Sequence, residues 1–288
     1  MVSIRKILIL YKKSSYKHFF LTRKALLRQI EQDEKLAERF RKTHDRHYQT
    51  LRDLENFLRQ KGLRYSRMLR GRKKNFSGYD LIITVGGDGT FLEGASKTRD
   101  QLILGINSDP QWSVGRFCAA TNETFPRILE NIFKNRFQVK PLNRLKLRFK
   151  RRSTAVHALN DILICHKNPA EMSRYYLCLK GRKEEQRSSG IWVATAAGST
   201  GAIYSAGGRV LPLASKQLQY VVRELYRGHG RKARLKSGVF SASRTFKVVS
   251  IMKDGVIYVD GSHIKIPFSF GEELIVANSE YPLQVVTG

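Results

Sequence analysis

Residues 79–95 decide the fold, and they read YDLIITVGGDGTFLEGA. An apolar, β-branched run ends at Gly86 and Gly87, an aspartate and a third glycine follow, and an alternating apolar pattern then begins. This order is typical of a buried parallel strand that enters a tight turn and then a helix. Glycines lack Cβ atoms, so phosphate groups can approach the main-chain N–H groups of such a turn. The stretch therefore predicts a phosphate-binding turn.

Asp88 is the unusual member of this turn, because a carboxylate repels phosphate. Its presence indicates an acid that acts on a hydroxyl group or on a metal. A helix-capping aspartate is the structural alternative, and Gly-Asp-Gly alone does not decide between the two. The turn matches neither the G-x-G-x-x-G dinucleotide fingerprint nor the G-K-[ST] Walker loop.

The composition and charge set limits on the protein class. The 288 residues suffice for two modest domains or one large one, and 41% of them are hydrophobic, which is ample for a packed core. The formal net charge of +29 predicts a surface that attracts polyanions. Basic clusters such as 70–74, 146–152 and 231–234 resemble nucleic-acid patches. No recognisable nucleic-acid module accompanies them, so we interpret them as a solvated basic surface.

The cysteines and the apolar runs bear on the compartment. Cys118, Cys165 and Cys178 have no CxxC or Cys/His metal spacing, which predicts buried thiols in a reducing compartment. No apolar run is long enough to span a bilayer, and residues 6–11 resemble a first strand rather than a signal peptide. We therefore expect a cytoplasmic protein without a membrane partner.

The pattern along the chain predicts two domains. Residues 14–61 contain no Pro or Gly and favour helix, in two segments. Strands are predicted at 63–69, 81–85 and 102–107, with a helix at 90–99, and this alternation favours a parallel sheet. Beyond about residue 140, short β-rich runs predict an antiparallel β domain. These runs are 145–149, 155–165, 174–179, 190–194, 244–251 and 256–259.

Two features of the second domain are candidates for ligand binding. Asn160 and Asp161 form a polar pair in an otherwise apolar strand, which is either structural or a ligand clamp, because buried polar groups need hydrogen bonds. Residues 188–208 run from a strand into very small and hydroxyl side chains, which lets a ligand lie on the backbone or a helix begin beside it. Further on, 259–261 followed by 271–276 predicts a hairpin with an Asp-Gly turn.

In order, these motifs resemble the NAD kinase family over most of the chain. The GGDGT turn alone is shared with diacylglycerol kinases, sphingosine kinases and 6-phosphofructokinase-like enzymes, so it indicates phosphoryl transfer without naming the acceptor. The Asn-Asp pair, the segment 189–208 and Val-Asp-Gly at 259–261 complete the family pattern. Residues 105–110 and the long helical insert look most like its mitochondrial-type branch.

The resemblance implies transfer of the terminal phosphoryl group of ATP to the adenosine-ribose 2′-hydroxyl of NAD, with Asp88 accepting the hydroxyl proton. It implies Mg²⁺ bound with ATP, no dedicated metal site, NAD as a substrate, and a homo-oligomer. ATP and inorganic polyphosphate both remain open as the donor, and so do NAD and NADH as the acceptor. The implied nucleotide-binding residues are Gly87, Gly89, Thr90, Asn160, Asp161, Arg187, Ser189, Thr200, Gly201, Ala202, Ile203, Tyr204 and Ser205.

The implied fold is an α/β N-terminal domain with a parallel sheet plus a β-sandwich-like C-terminal domain. We place the first domain at 1–119, with 268–288 returning to it, and the NAD-binding domain at 120–267. Asp161, Ser189 and Ala202 depart from the family pattern, which has glutamate, aspartate and tyrosine there. Tyr204 is the nearest aromatic that can stack on a base. A core position for Tyr204 is the alternative.

Two other functions remain open from the sequence. A lipid kinase of the diacylglycerol or sphingosine type shares GGDGT and a following β domain, and a basic surface suits an acidic membrane. The small-residue segment at 195–208 argues against it. A polyanion-binding protein on a degenerate kinase scaffold is the second alternative, and the intact GGDGT turn argues against that one.

Overall fold

The computed structural model describes residues 4–20, 28, 30–72, 76–153, 155–226, 228, 233–241 and 244–287. The chain forms two compact units. The first comprises Met1–Pro141 together with Gln284–Gly288, and the second comprises Leu142–Leu283. Within the described ranges, no helix combines the length and apolar character needed to cross a membrane.

The first unit contains a seven-stranded sheet with strand order β2-β1-β3-β4-β19-β6, and β5 pairs with β4. Every strand pair whose register is known here, β1–β2, β1–β3, β3–β4, β4–β5 and β4–β19, is parallel. This confirms the predicted parallel sheet. With strands numbered in chain order, the bounds are β1 Ile7–Tyr11, β2 Tyr65–Leu69, β3 Leu81–Gly86, β4 Leu102–Asn107, β5 Ala120–Thr121, β6 Gln138–Leu142 and β19 Leu283–Thr287.

The helices of the first unit overlap the predicted helical ranges 14–61 and 90–99 without covering them fully. A π-helix covers Tyr16–Phe20, and the 27-residue helix α1 covers Glu34–Gln60, while 21–27 and 29 lie outside the described residues. Asp33 caps α1, since its carboxylate accepts the main-chain N–H of Leu36 at 3.0 Å. Helix α2 covers Asp88–Lys97 and α3 covers Phe125–Phe133.

The core of the first unit lies between these helices and the sheet. Leu54 and Leu58 of α1 and Leu129 of α3 are fully buried against apolar residues of β1, β3 and β4. Helix α2 packs closely on β3, because a Cβ atom at Gly94 would lie only 2.8 Å from Thr84 Cγ2. This packing holds the start of α2 at the end of β3.

The second unit contains two six-stranded sheets whose known pairs are antiparallel. One has the order β11-β10-β15-β18-β7-β8, and the other has the order β14-β13-β12-β9-β16-β17. One hydrophobic cluster contains residues from both sheets, including Leu147, Ile164 and Val193. This confirms the predicted β-sandwich-like architecture. The bounds are β7 Leu145–Phe149, β8 Val156–Ala158, β9 Asp161–His166, β10 Ser173–Leu179, β11 Arg182–Ser188, β12 Ile191–Ala194, β13 Leu218–Val222, β14 Ser237–Phe240, β15 Phe246–Ser250, β16 Gly255–Val259, β17 Ile264–Pro267 and β18 Glu273–Asn278.

Two strand predictions in this unit were wrong. The run 155–165 was expected to be one strand, but the chain bends at Leu159 and Asn160, so that β8 and β9 belong to different sheets. The hairpin at Asp260 exists, but its second strand is β17 at 264–267. Residues 273–278 instead form β18 and pair with β15 and β7. At 155–165, the apolar continuity of the sequence hid a change of sheet.

Candidate active site

The turn between β3 and α2 leads directly from the sheet into the first residue of a helix. Gly87 precedes the first residue of α2 with φ −111° and ψ −165°, and its side-chain position is closed, because a Cβ atom would lie 2.3 Å from Ser113 Oγ. Gly89 is exposed. Thr90 is buried, and its Oγ1 has no hydrogen-bond partner among the described residues. The start of a helix offers unpaired N–H groups and a positive dipole to an anion.

Asp88 occupies the first position of α2, and its carboxylate is held by another loop. Oδ2 accepts the main-chain N–H of Arg116 at 3.0 Å, and Oδ1 accepts that of Phe117 at 2.9 Å. These donors belong to the loop that follows β4. The capping alternative assigned the carboxylate to its own helix, whereas the two bonds shown fix its orientation from outside that helix.

The sequence analysis did not identify a charged network centred on Glu93, which lies on α2 after the Gly-Asp-Gly turn. Glu93 on α2 is buried and binds Arg70 Nε at 3.2 Å, Lys97 Nζ at 2.8 Å and the main-chain N–H of Gly71 at 2.6 Å. Burial raises the pKa of Glu93, but the Gly71 N–H, Lys97 and Arg70 outweigh it, so the pKa is lowered overall. Glu93 is therefore ionised and binds two cations, of which Arg70 lies close to Gly89.

His47 on α1 links two loops that follow strands of the first sheet, one after β1 and one after β4. It is 1% exposed, its Nε2 lies 2.8 Å from the carbonyl oxygen of Lys12, and its Nδ1 lies 2.9 Å from Ser108 Oγ. A carbonyl oxygen only accepts, so Nε2 carries the proton and Nδ1 accepts from the hydroxyl. Burial lowers the pKa of His47 to about 4. The imidazole is therefore neutral and fixes the chain after β1 to the loop after β4.

In the second unit, the turn before β9 wraps around the carboxylate of Asp260. The main-chain N–H groups of Leu159, Asn160 and Asp161 donate to Asp260 at 2.7, 2.7 and 3.2 Å. Burial and, as a smaller cause, the nearby charge of Asp260 raise the pKa of Asp161 to about 7. For Asp260, burial raises the pKa, but only to about 6, because the three N–H groups and Arg144 favour its ionised form. We therefore assign the negative charge to Asp260 and the proton to Asp161.

The small-residue segment after β12 packs directly on this turn. The hydroxyl of Thr195 donates to the carbonyl oxygen of Leu159 at 2.6 Å, and a Cβ atom at Gly198 would lie 2.2 Å from the carbonyl oxygen of Asn160. The Oδ1 atom of Asn160 is buried without a hydrogen-bond partner in the described part of the chain. A Cβ atom at Gly201 would lie 3.8 Å from Asp161 Oδ2. Asn160, Asp161 and the segment after Gly198 therefore form one group.

The residues predicted at 200–205 differ in exposure. Residues 202–205 form the short helix α4, Ala202–Ser205. Of residues 200–205, all are exposed to solvent except Ile203. The side chain of Ile203 is fully buried with Ala194 and Val221. Tyr204 is 56% exposed, which excludes the core position considered from the sequence. Thr200, Gly201, Ala202, Tyr204 and Ser205 are thus accessible, and Gly201 lies beside Asp161.

Arg187 and Ser189 lie elsewhere in the second unit. Both precede β12, whereas Thr195 and the small-residue segment follow it. A strand advances about 3.3 Å per residue, so the length of β12 separates them from Asp161. Arg187 Nε binds Glu185 at 3.0 Å, and the main-chain N–H of Ser189 binds the carbonyl oxygen of Arg223 at 3.1 Å. The unit does not bring these two residues to the Asn160 group.

The first unit carries the GGDGT turn at the end of a parallel strand, and the second unit is a β-sandwich. This combination is typical of the kinases that share the GGDGT motif. The family model "ATP-NAD kinase N-terminal domain" matches residues 10–137. A probable NADH kinase of Oryza sativa subsp. japonica is 32% identical over 263 residues, which are 83% of this chain and 81% of that protein. An NADH kinase of Arabidopsis thaliana is 31% identical over 72% of each chain.

The chain belongs to the NAD kinase family. A solved structure supports the fold: the NAD kinase from Archaeoglobus fulgidus in complex with ATP has a TM-score of 0.69 at 23% identity, and the match covers 98% of this chain and 92% of that chain. The family predicted from the sequence is thereby confirmed. Membership supports NAD kinase activity and gives no support to the lipid kinase alternative.

Proposed function

We propose that this chain transfers the terminal phosphoryl group of ATP to the 2′-hydroxyl of the adenosine ribose of NAD and so makes NADP. The observation that carries the proposal is the carboxylate of Asp88, which two main-chain N–H groups orient inside the phosphate-binding turn. In the reaction, the 2′-oxygen of the ribose attacks the γ-phosphorus while Asp88 takes the proton of that hydroxyl, and ADP leaves. Gly87, Gly89 and the N–H groups at the start of α2 receive the phosphates.

The group around Asn160 is the proposed acceptor site. The buried Oδ1 of Asn160 needs a donor, which a ribose hydroxyl or an adenine amino group supplies. A protonated Asp161 carboxyl donates one hydrogen bond and accepts others, so it suits a hydroxyl. The exposed ring of Tyr204 offers a stacking surface for a base. Ile203 contributes through its main chain, since its side chain is buried.

NADH is included as an acceptor in this proposal. Two relatives with more than 30% identity carry the name NADH kinase, one of them as probable. The adenosine half of the dinucleotide is the same in both redox forms, and the 2′-hydroxyl lies on that half. Nothing at Asn160 or Asp161 depends on the charge of the nicotinamide ring.

The remaining parts of the proposal concern the metal, the assembly and the compartment. Mg²⁺ would enter with ATP and would neutralise phosphate charge there, and Asp88 would be the carboxylate of the turn available to it. The enzyme works as a homo-oligomer. It acts in the cytoplasm, with ATP as the donor and inorganic polyphosphate as a second candidate.

A single assay tests the activity. The purified chain is incubated with magnesium and either ATP or polyphosphate, together with NAD, NADH or a diacylglycerol, and the products are separated. We expect NADP from NAD and NADPH from NADH. Phosphorylated lipid without NADP would overturn the proposal. Protein that binds nucleic acid tightly at physiological salt but phosphorylates none of the acceptors would favour the polyanion-binding alternative.

A further inference from the structure

Two cations follow neighbouring parallel strands in the first unit. Lys12 comes directly after β1 and Arg70 directly after β2, and the last residues of these strands, Tyr11 and Leu69, are register partners. The main-chain N–H of Arg70 donates to the carbonyl oxygen of Tyr11 at 2.8 Å. The two basic residues therefore leave the sheet side by side. Their like charges repel each other, which favours an anion that both can contact.

The guanidinium of Arg70 lies at the phosphate-binding turn. A Cβ atom at Gly89 would be 3.6 Å from Arg70 Nη1, while Arg70 Nε binds Glu93 at 3.2 Å. Glu93 in turn sits on α2 and also binds Lys97. The position of the guanidinium is thus set from the same helix whose first turn is proposed to receive phosphate.

Helix α1 positions the main chain of Lys12 through His47. The carbonyl oxygen of Lys12 accepts the proton of His47 Nε2, and the Lys12 side chain is half-buried. Burial lowers the pKa of Lys12, the charge of Arg70 lowers it further, and Asp109 raises it. Asp109 is shared, because it forms an ion pair with Arg46 at 3.3 Å. The local balance around the pair therefore favours an additional anion.

The geometry points to Lys12 and Arg70 as a two-cation clamp for the β- and γ-phosphates of the donor, placed beside Gly87 and Gly89. This assignment rests on the proposed function for the identity of the donor. Ligands of parallel sheets bind at the carboxyl ends of the strands, where both residues lie. Arginine binds two phosphate oxygens at once, and lysine supplies a compact charge. The clamp makes the site select a triphosphate chain over a monophosphate.

The test is the equilibrium binding of ATP, ADP, AMP and NAD to the full chain, measured by calorimetry. Lys12→Gln should weaken ATP binding by about tenfold to a hundredfold, the range for a lost hydrogen bond to a charged group. Arg70→Lys keeps the positive charge but loses the planar guanidinium that can bind two phosphate oxygens at once. It should weaken ATP binding by about tenfold. Binding of AMP and NAD should stay within about twofold of the original chain, because neither ligand needs the clamp.

Matched controls separate the clamp from the general basic field. Lys13→Gln and Arg72→Gln remove the same charge from exposed neighbours, and should leave ATP binding within about twofold. An equal loss in these controls, an equal loss for AMP and NAD, or unchanged ATP binding in Lys12→Gln would each overturn the clamp. If Lys12→Gln does not fold, Arg70→Lys decides, and unchanged ATP binding there overturns the clamp as well.

The binding data also separate this inference from the proposed function. A chain that makes NADP but binds ATP normally without Lys12 disproves the clamp alone. A chain that makes no NADP, yet loses ATP and retains AMP in Lys12→Gln, supports the clamp and disproves the acceptor assignment. Tripolyphosphate that competes with ATP for the original chain, but not for Lys12→Gln, would place the recognition on the phosphate chain itself.

Discussion

Asp161 and Asp260 are joined by two hydrogen bonds, and the main chain of each residue donates one of them. The N–H of Asp161 donates to Asp260 Oδ1 at 3.2 Å, and the N–H of Asp260 donates back to the carbonyl oxygen of Asp161 at 3.0 Å. Asp260 has φ +49°, a left-handed conformation that few residues other than glycine adopt, although aspartate is among the more tolerant. The reciprocal pair fixes the start of β9 to the turn after β16. It also places two buried acids next to each other.

The replacement Asp161→Asn should stabilise the protein at neutral pH. Burial and Asp260 raise the folded pKa of Asp161 to about 7 from 3.8. The folded state therefore retains a proton that the unfolded state releases, and stability from this group is greatest below pH 3.8 and is lost as the pH rises to 7. Asparagine does not ionise, so the Asp161→Asn protein has no such loss. Its free energy of unfolding should exceed that of the original protein by an amount that grows with pH to at most about 4 kcal/mol.

Chemical denaturation of both proteins from pH 4 to 8 measures this advantage. Asp260→Asn is the matched control, because its amide cannot accept the three N–H bonds as a carboxylate does, and it should be less stable at every pH. An Asp161→Asn curve parallel to the original one would mean that Asp161 is ionised in the folded protein.

His47 should make the protein sensitive to acid in a different range. Its folded pKa of about 4 lies below the ordinary 6.5 because the ring is buried. Below pH 6.5 the unfolded chain gains a proton that the folded chain refuses, so stability is lost as the pH falls toward 4, by up to about 3 kcal/mol. His47→Gln should lack this part of the pH dependence. Exposed His18→Gln should retain it, and identical profiles for the two variants would contradict the assignment.

Asp88→Asn should lower turnover by roughly two to four orders of magnitude, the scale of a lost general base. The structure adds a second expectation. An amide has one acceptor oxygen, so its NH₂ group would face the N–H of Arg116 or Phe117, and the melting temperature should fall slightly. Turnover of NAD measured under ATP saturation, with folding checked by circular dichroism, tests both. Near-normal NADP formation would remove Asp88 from the reaction.

Tyr204→Ala should weaken NAD binding, while Tyr204→Phe should preserve it. The ring is largely exposed, and base stacking on an aromatic side chain contributes about 1–3 kcal/mol. An exposed side chain contributes little to the core, so neither variant should change the melting temperature much. Calorimetric titration with NAD and thermal melts give both readouts. Early melting of the alanine variant with unchanged affinity would show that Tyr204 is needed for packing.

The sequence predicted several strands whose apolar pattern is continuous, although it did not single out β13, LQYVV. The prediction at 102–107 matches β4, and the prediction at 145–149 matches β7. It missed β11, whose residues RKEEQRS carry no apolar alternation. This strand lies at the edge of its sheet, where charged side chains face water and prevent further pairing. Main-chain bonds to β10 hold it, and composition does not reveal those.

The candidate site was predictable where glycines and polar pairs interrupt an apolar run. The turn at 86–90 and the pair Asn160 and Asp161 stand out for that reason. Lys12 and Arg70 did not, because each is one of 53 basic residues and only strand register brings them together. The buried contacts of His47 are hidden in the same way, since a histidine on a charged helix gives no sign of its partners.

The position of β19 has a consequence for the order in which the chain acquires its structure during synthesis. This strand lies between β4 and β6, and Gln284 pairs with Leu102. While the ribosome makes residues 142–283, the gap in the first sheet stays unfilled, and the edge of β4 at Leu102 and Ile103 stays unpaired. Domains that fold from the N-terminus onward normally close before the next one is made, but this one cannot. The nascent chain therefore carries an exposed, apolar strand edge, which invites a chaperone or misassociation until the gap is closed.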